Sequence, residues 1–159
     1  MKCGGAPLIL RMATTTQPVK TALLSFGMSG WVFHAPFIAI NPGFELYAVW
    51  ERTKNLSQAK YPGVKVVRSF EEILSDPAIE LVVVNTPNAT HYDYTKKVLQ
   101  AGKHALVEKP FTVTVAEGEE LIKLAKEKNL LITVYQNRRF DSDYRTVKKI
   151  VDEDGLDKL

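Results

Sequence analysis

Glu108, Lys109 and Pro110 form the cluster of this 159-residue sequence with the clearest capacity for chemistry. They follow a short apolar run, so they are predicted at the carboxyl end of a strand, and the proline fixes the turn that begins there. A lysine held beside a carboxylate can bind hydroxyl groups, and it can stabilise the alkoxide that forms as hydride leaves a carbinol carbon. The alternative is an exposed Glu–Lys pair, which contributes little to stability.

A second cluster has the sequence Ser-Phe-Gly-Met-Ser-Gly and follows the apolar run 19–24. In the usual fingerprint, G-x-G-x-x-G, small residues let the backbone approach a dinucleotide pyrophosphate, which amide groups at the following helix start then bind. Here a serine replaces the first glycine. The alternative is a strand–helix corner that contains two glycines by chance. The candidate pyrophosphate-binding residues are Ser25, Gly27, Met28, Ser29 and Gly30.

Glu51 ends the next predicted strand and lies about 20 positions after Gly30, which is the spacing expected for an acid that binds a ribose. Such a carboxylate accepts the ribose hydroxyls and repels a 2′-phosphate, so it favours NAD over NADP. Arg52 can instead stack on adenine or pair with a 2′-phosphate, so NADP is the alternative cofactor. For Glu51 itself, the alternative is a solvated loop carboxylate.

Thr86, Pro87 and Asn88 follow the most apolar run of the chain, 80–85, and His91 lies three residues further on. A turn of this kind can line the ribose on the nicotinamide side of a dinucleotide. The alternative for His91 is a histidine on the surface of a helix. The four residues are therefore candidates for cofactor binding.

The elements that must position these clusters alternate along the chain. Capping boxes at Ser69 and Thr114 indicate two helix starts, Gly102 indicates a helix end, and Pro36 is expected to kink or restart a helix. The alternation predicts a doubly wound, mostly parallel sheet in a three-layer α/β/α arrangement, with every cluster at the carboxyl edge. Strands are predicted at 19–24, 44–50, 64–67, 80–85, 104–107 and 130–135, and helices at 31–40, 57–60, 69–76, 89–101, 114–128 and 141–154.

Composition limits the class of protein. Hydrophobic residues make up 45% of the chain and the net charge is +3, which is too small to indicate a nucleic-acid partner. The sequence has one cysteine, so an internal disulfide or a metal site with several cysteines is excluded, and a cytoplasmic location is expected. No apolar run reaches the roughly 18 residues of a membrane span. Segment 1–18 is predicted to be a disordered leader.

Taken together, the motifs resemble the glucose–fructose oxidoreductase/inositol dehydrogenase/rhizopine catabolism (Gfo/Idh/MocA) family. The resemblance covers the chain from Val19 onward. Two further segments, Phe-His-Ala-Pro at 33–36 and Tyr-Gln-Asn-Arg-Arg-Phe at 135–140, are similar to the scyllo-inositol dehydrogenase-like branch. The motifs that carry the resemblance are the glycine loop, Thr-Pro-Asn-x-x-His at 86–91, Ala-Gly-Lys-His at 101–104 and Glu-Lys-Pro at 108–110.

The resemblance implies a Rossmann domain over 19–140 that binds NAD or NADP, and an oxidoreductase that acts on a secondary alcohol of a sugar, polyol or inositol. It implies that Lys109 contacts both substrate and nicotinamide ribose, as the catalytic residue, with Glu108 beside it. Asn137 matches a position near the cofactor, and Arg138 a position near the substrate. No metal, nucleic acid or membrane partner is implied.

Family members also carry a second, substrate-binding domain that supplies further catalytic residues and the homo-oligomer interface. Segment 141–159 is therefore expected to be a helix and the beginning of a truncated substrate domain, and this chain alone is expected to bind dinucleotide with little turnover. Two alternatives stay open. One is a non-catalytic NAD(P)-binding or protein-interaction module, in which the apolar face of 141–154 docks a partner. The other is a methyltransferase, which offers no role for Glu-Lys-Pro.

Overall fold

The structure, a computed structural model, describes residues 17–154, with side chains as far as Glu153. All but the last two residues of the predicted leader 1–18 lie outside the described residues, and so do residues 155–159. The chain divides after Asn85 into two compact units. They are called the first unit (17–85) and the second unit (86–154).

The first unit contains four strands and three helices, and its strands pair in parallel. A six-residue π-helix, Ser29–His34, leads directly into the first α-helix. The strands are β1 (Val19–Leu23), β2 (Phe44–Trp50), β3 (Lys65–Val67) and β4 (Leu81–Val84). The helices are α1 (Ala35–Ile40), α2 (Leu56–Lys60) and α3 (Phe70–Ser75).

The second unit contains two parallel strands and three helices, together with two short 3₁₀ turns, Asn88–Thr90 and Asn137–Phe140. The strands are β5 (His104–Val107) and β6 (Ile132–Val134), and the helices are α4 (His91–Gln100), α5 (Val115–Glu127) and α6 (Ser142–Asp154).

The strand order is β3-β2-β1-β4-β5-β6. This is the order of a doubly wound sheet that binds dinucleotides, in which the chain starts in the middle and winds outward in both directions. The predicted fold class is therefore confirmed. Among the described residues, no helix combines the length and the apolar character needed to cross a bilayer.

The core of the first unit lies along β1 and β4. The side chains of Ala22, Leu23, Val82 and Val83 are inaccessible to solvent. A continuous apolar run is typical of a strand buried on both faces, which the sequence predicts for segment 80–85. The two strands therefore give a rigid base to the loops that follow them.

The predicted helix 31–40 differs from the helix in the structure. The helical segment begins two residues earlier, at Ser29, and it is a π-helix as far as His34. The α-helical part begins at Ala35, so Pro36 occupies the first turn, where its missing N–H costs nothing. Pro36 therefore restarts the helix, as predicted.

The second unit follows its local sequence signals closely. Both predicted capping boxes are present, at Thr114 here and at Ser69 in the first unit, and Gly102 ends α4 with a positive φ of 78°. The apolar residues of α5 predict an inward face of Leu121, Ile122, Leu124 and Ala125. Leu121 and Ala125, four residues apart, are buried, whereas Ile122 is exposed because it lies about 100° around the helix.

Candidate functional site

The loop after β1 is folded around Ser25, the residue that replaces a glycine in the usual fingerprint. Its hydroxyl accepts a hydrogen bond from the Gly27 N–H at 3.1 Å. A Cβ atom on Gly30 would lie only 2.1 Å from the Ser25 carbonyl oxygen. Gly30 therefore allows the helix start to pack against the strand end at a distance that no other residue permits.

Gly27 has a different environment from Gly30. It is exposed, and a Cβ added there would meet only the Ser25 hydroxyl, at an ordinary contact distance of 3.5 Å. Met28 is also exposed, and Ser29 begins the π-helix. The fold does not require a glycine at position 27. Close approach of a ligand to the backbone would require one.

Asn85 fastens this loop from the end of β4. Its side-chain amide donates to the Ser25 carbonyl oxygen at 2.9 Å, and the residue is 7% exposed. Its Oδ1 atom is buried and has no hydrogen-bond partner in the described part of the chain. The sequence places Asn85 only as a neighbour of the Thr-Pro-Asn turn. The signal that could have identified its role is a polar residue at the end of an otherwise apolar strand.

Glu51 lies at the end of β2, as predicted, but it is not a solvated carboxylate. It is 7% exposed, and its two oxygens accept three hydrogen bonds from the start of α2. Oε2 accepts from the Leu56 N–H at 2.9 Å, and Oε1 accepts from the Ser57 N–H at 2.8 Å and from the Ser57 hydroxyl. Glu51 therefore supplies the acceptors that the first turn of α2 lacks.

Arg68, which follows β3, holds the other side of the same loop. Its guanidinium donates to the carbonyl oxygens of Glu51 and Lys54, both at 2.7 Å, and to the side chain of Asn55. Sequence reasoning missed Arg68, because its acceptors are mostly backbone atoms that leave no pattern. Arg52, between these fixed points, is exposed.

In the second unit, the Thr86 turn is closed by Thr90. The Thr90 hydroxyl is 2.8 Å from the Thr86 hydroxyl and 2.6 Å from the Pro87 carbonyl oxygen. The Thr90 backbone N–H donates to the same carbonyl oxygen. Pro87 and Asn88 are exposed. The predicted turn is thus present, with its two middle residues open to solvent.

His91 is completely buried and is not a surface histidine. Its Nδ1 is 2.7 Å from the Pro110 carbonyl oxygen, and its Nε2 is 2.9 Å from the Thr86 carbonyl oxygen. A ring that carries a hydrogen on each nitrogen donates to both oxygens, whereas a neutral ring donates to one. The imidazole therefore links the Thr86 turn to the turn that contains Lys109.

Lys109 is exposed, and it precedes Pro110 across a cis peptide bond. Its backbone N–H donates to the Glu108 carboxylate at 3.2 Å. Burial, and secondarily the Glu108 carboxylate, raise the pKa of Tyr135. No carboxylate of the described residues pairs with the Lys109 ammonium, which is free to bind a ligand.

Asn137 and Arg138 lie in the 3₁₀ turn that follows β6. Arg138 is exposed and donates to Asp141 at 2.7 Å, and this hydrogen bond raises its pKa. The turn and the start of α6 line an open groove of about 680 Å³. Its lining residues are Gln136, Arg138, Arg139, Asp141, Asp143, Tyr144 and Val147.

Within the first unit, the structure brings Ser25, Gly27 and Gly30 together with Asn85, and it joins Glu51 to the start of α2. Within the second unit, it brings Thr86 and His91 together with the Lys109–Pro110 turn. The groove that contains Arg138 is built from a later segment. Within residues 17–154, no three or more histidine, cysteine, aspartate or glutamate side chains cluster in a way that could hold a metal ion.

A doubly wound parallel sheet with a close strand–helix contact at Gly30 is the arrangement of a dinucleotide-binding Rossmann domain. Residues 19–136 match the Gfo/Idh/MocA family, described as an oxidoreductase family with an NAD-binding Rossmann fold. The match covers most of the chain, so the chain belongs to this family. The resemblance noted in the sequence is confirmed, and so is the predicted cofactor class, NAD or NADP.

Individual relatives agree with this assignment. The chain is 48% identical over 147 residues to an uncharacterized oxidoreductase of Schizosaccharomyces pombe, covering 89% of this chain and 40% of that protein. It is 39% identical over 151 residues to the scyllo-inositol 2-dehydrogenase (NADP(+)) of Bacillus subtilis, covering 95% and 42%. A crystal structure from Bacteroides fragilis has 56% identity and a TM-score of 0.82, covering 87% and 43%. The chain therefore spans about 40% of the length of the curated relatives it matches.

Proposed function

We propose that this chain is the dinucleotide-binding part of an oxidoreductase that moves hydride between nicotinamide and a secondary alcohol of a sugar, polyol or inositol. The observation that carries the proposal is the contact at Gly30, where even one Cβ would lie 2.1 Å from the Ser25 carbonyl oxygen. Gly27, three residues earlier in the loop, is exposed, as close approach of a pyrophosphate to the backbone requires. The loop from Ser25 to Gly30 therefore fits a dinucleotide pyrophosphate.

The first unit would hold the adenosine and pyrophosphate. Gly27 and Met28 are exposed just before the helical segment begins, and the Met28 amide would be a donor to the phosphates. The Ser25 hydroxyl already accepts from the Gly27 N–H. Ser25 therefore supports the loop, and Gly27 provides the approach. Glu51 and Arg52 would border the adenosine ribose.

The second unit would hold the nicotinamide ribose and the substrate. Pro87 and Asn88 are the exposed residues of the Thr86 turn, and His91 holds that turn against the carbonyl group of Pro110. The free ammonium of Lys109 is suited to donate to a substrate hydroxyl and to stabilise negative charge on its oxygen. Asn137 and Arg138 are the further predicted contacts. Bound NAD(P) would supply the hydride acceptor.

The substrate class rests on the family and on its named relative that acts on scyllo-inositol. Because the chain spans about 40% of its relatives' length, turnover, substrate and assembly belong to the proposal for the whole protein. The proposal includes a Rossmann domain over 19–140 and the beginning of a substrate domain over 141–159. It also includes a cytosolic location, which the single cysteine fits.

Dinucleotide binding can be measured with the chain as it is. Trp31 is 48% exposed and donates its backbone N–H to the Gly27 carbonyl oxygen at 2.9 Å, so its fluorescence reports on this loop. Titration with NADH and NADPH should quench the tryptophan emission and produce energy transfer to the reduced nicotinamide. Failure of both nucleotides to bind at millimolar concentration would overturn the proposed function.

Two glycine variants separate ligand binding from folding. Gly27→Ala adds a methyl group that the fold accommodates, so the variant should fold normally, yet its methyl group obstructs the pyrophosphate and should weaken binding about 10-fold, roughly 1.4 kcal/mol. Gly63→Ala is the matched control, because a Cβ at Gly63 meets nothing within 4 Å. Equal affinities for the two variants would contradict the assignment of the pyrophosphate to this loop.

A further inference from the structure

We infer that this chain prefers NADP to NAD, with Arg52 as the residue that binds the 2′-phosphate and Glu51 as a positioning residue for the Arg52 loop. The inference rests on the proposed dinucleotide binding and specifies which dinucleotide is bound. It reverses the preference that the position of Glu51 predicts from sequence. The reason lies in what the Glu51 carboxylate contacts.

A carboxylate selects NAD by presenting its oxygens to the two hydroxyls of the adenosine ribose and by repelling a phosphate there. Glu51 does not present its oxygens in this way. It is 7% exposed, and both oxygens accept hydrogen bonds from Leu56 and Ser57 at the start of α2. Three of the roughly four acceptor positions of this carboxylate are already used, so it has too few left to bind both hydroxyls of a ribose.

The charge of Glu51 is also compensated where it lies. Two backbone N–H groups and one hydroxyl of α2 donate to its oxygens. The negative charge is therefore directed into the fold. The dipoles of these donors offset part of its repulsion of a phosphate on the outer side of the loop.

Arg68 completes the fixation of the loop. Its guanidinium bonds the carbonyl oxygens of Glu51 and Lys54 and the Asn55 side chain. These contacts hold the backbone on both sides of residues 52 and 53, independently of any ligand. A preformed loop lowers the entropic cost of binding, because the loop is not ordered at the moment when the ligand arrives.

The fixed loop presents Arg52, Thr53 and Lys54 to solvent. Across residues 17–154, no carboxylate pairs with the side chains of Arg52 and Lys54. A planar guanidinium binds two phosphate oxygens at once, and a neighbouring hydroxyl supplies a further donor. The 2′-phosphate of NADP is the dianion that matches this set, whereas the 2′-hydroxyl of NAD uses none of it.

The test is isothermal titration of the complete chain with NADP⁺ and with NAD⁺, and then with 2′,5′-ADP and 5′-AMP, which differ only in the phosphate of interest. We expect NADP⁺ to bind about 10-fold more tightly than NAD⁺ or better, as a charged hydrogen bond allows. Raising the salt concentration should reduce this ratio, because the loop is exposed. An affinity for NAD⁺ equal to or above that for NADP⁺ would overturn the inference, while leaving the proposed function standing.

Arg52→Gln should abolish most of the NADP⁺ preference and leave NAD⁺ affinity within about 2-fold. The matched control is Lys126→Gln, which removes one exposed positive charge from α5. If Arg52→Gln weakens both nucleotides equally, then Arg52 stacks on adenine and the assignment to the phosphate fails. Binding of neither nucleotide would instead reject the proposed function, and the inference with it.

Glu51→Gln distinguishes positioning from direct binding by the sign of its effect. If Glu51 positions the Arg52 loop, the variant loses more NADP⁺ affinity than NAD⁺ affinity, because the cations are no longer fixed. If Glu51 binds the ribose, the variant loses more NAD⁺ affinity, and the inference is overturned. The Arg52 measurement does not depend on the folding of this variant.

Discussion

Glu51 in the first unit and His91 in the second are both buried polar residues that bond the backbone, but Glu51 bonds N–H groups and His91 bonds carbonyl oxygens. The Glu51 carboxylate accepts from N–H groups at the start of α2, whereas the His91 ring faces the carbonyl oxygens of Thr86 and Pro110. Next to each bonded segment lies an exposed cation, Arg52 or Lys109. In each unit, a buried side chain fixes the backbone, and a neighbouring exposed cation stays available to a ligand.

Removal of the His91 ring should have the largest effect on stability, because it bonds both turns of the second unit. His91→Ala should lower the free energy of unfolding by about 3 kcal/mol, because it empties a completely buried position and removes the ring that bonds the Thr86 and Pro110 carbonyl oxygens. Urea denaturation followed by circular dichroism measures the change. Asn88→Ala, an exposed neighbour, should stay within about 0.5 kcal/mol. A similar value for both variants would mean that the ring does not hold the two turns together.

Arg68 tests the corresponding support in the first unit. Arg68→Met keeps much of the side-chain volume but removes the three hydrogen bonds to the loop, so the free energy of unfolding should fall by about 1 kcal/mol. The loss is smaller than at His91 because Arg68 is exposed and water replaces part of what is lost. Lys97→Met, on the exposed side of α4, serves as the control in the same denaturation experiment. An unchanged variant would show that Glu51 alone fixes the loop.

Acid stability provides a weaker contrast between the units. Asp76 is a largely buried carboxylate of the first unit, and its hydrogen bond from Lys65 at 2.9 Å is the main cause that lowers its pKa. Glu120 of the second unit has its pKa lowered mainly by Lys96, at 2.7 Å, but lies exposed. A lowered pKa in the folded state gives stability that is present above the usual pKa and is lost as pH falls through the folded value.

Asp76→Asn should therefore destabilise the chain at pH 7 by less than Arg68→Met does, and the difference from the parent should shrink below about pH 4. Glu120→Gln should change the same curve less, since solvent screens its ion pair. Unfolding free energies measured from neutral to acid pH decide this. If Glu120→Gln changes the pH dependence of the unfolding free energy more than Asp76→Asn does, the predicted order of the two ion pairs is wrong.

Lys109 should give the smallest change in stability, because its side chain is exposed and unpaired among residues 17–154. Lys109→Met should alter the free energy of unfolding by less than about 0.5 kcal/mol, while NADPH binds about 3-fold more weakly. Fluorescence titration and denaturation of the same preparation measure both quantities. A large loss of stability would place Lys109 with the supporting residues and not with the ligand contacts.

The elements of this fold were predictable because their signals are local. Capping boxes at Ser69 and Thr114, the apolar run of β4 and the glycine after α4 each depend on neighbouring residues. The early π-helical start at Ser29 was not predicted, since no residue in that segment indicates it. In the candidate site, the position of each polar residue at a strand end was predictable.

The direction of each polar side chain was not predictable. Glu51 and His91 are bonded mainly to backbone atoms, and backbone atoms are the same in every sequence. Arg68 was missed for that reason as well. The predicted ligand contacts of Lys109, Asn137 and Arg138 stay predictions, because their side chains are exposed and their roles depend on what binds.

The loop between Glu51 and Ser57 is anchored at both ends by residues that face inward, while the three positions 52–54 make no side-chain contribution to that anchoring. The side chains at these three positions can therefore be replaced without changing the residues that anchor the loop. If Arg52 binds the 2′-phosphate as inferred, an acidic residue at position 52 should shift the preference toward NAD, while the anchors hold the loop backbone in place. Coenzyme engineering of this chain would therefore leave Glu51 and Arg68 unchanged and vary only positions 52–54.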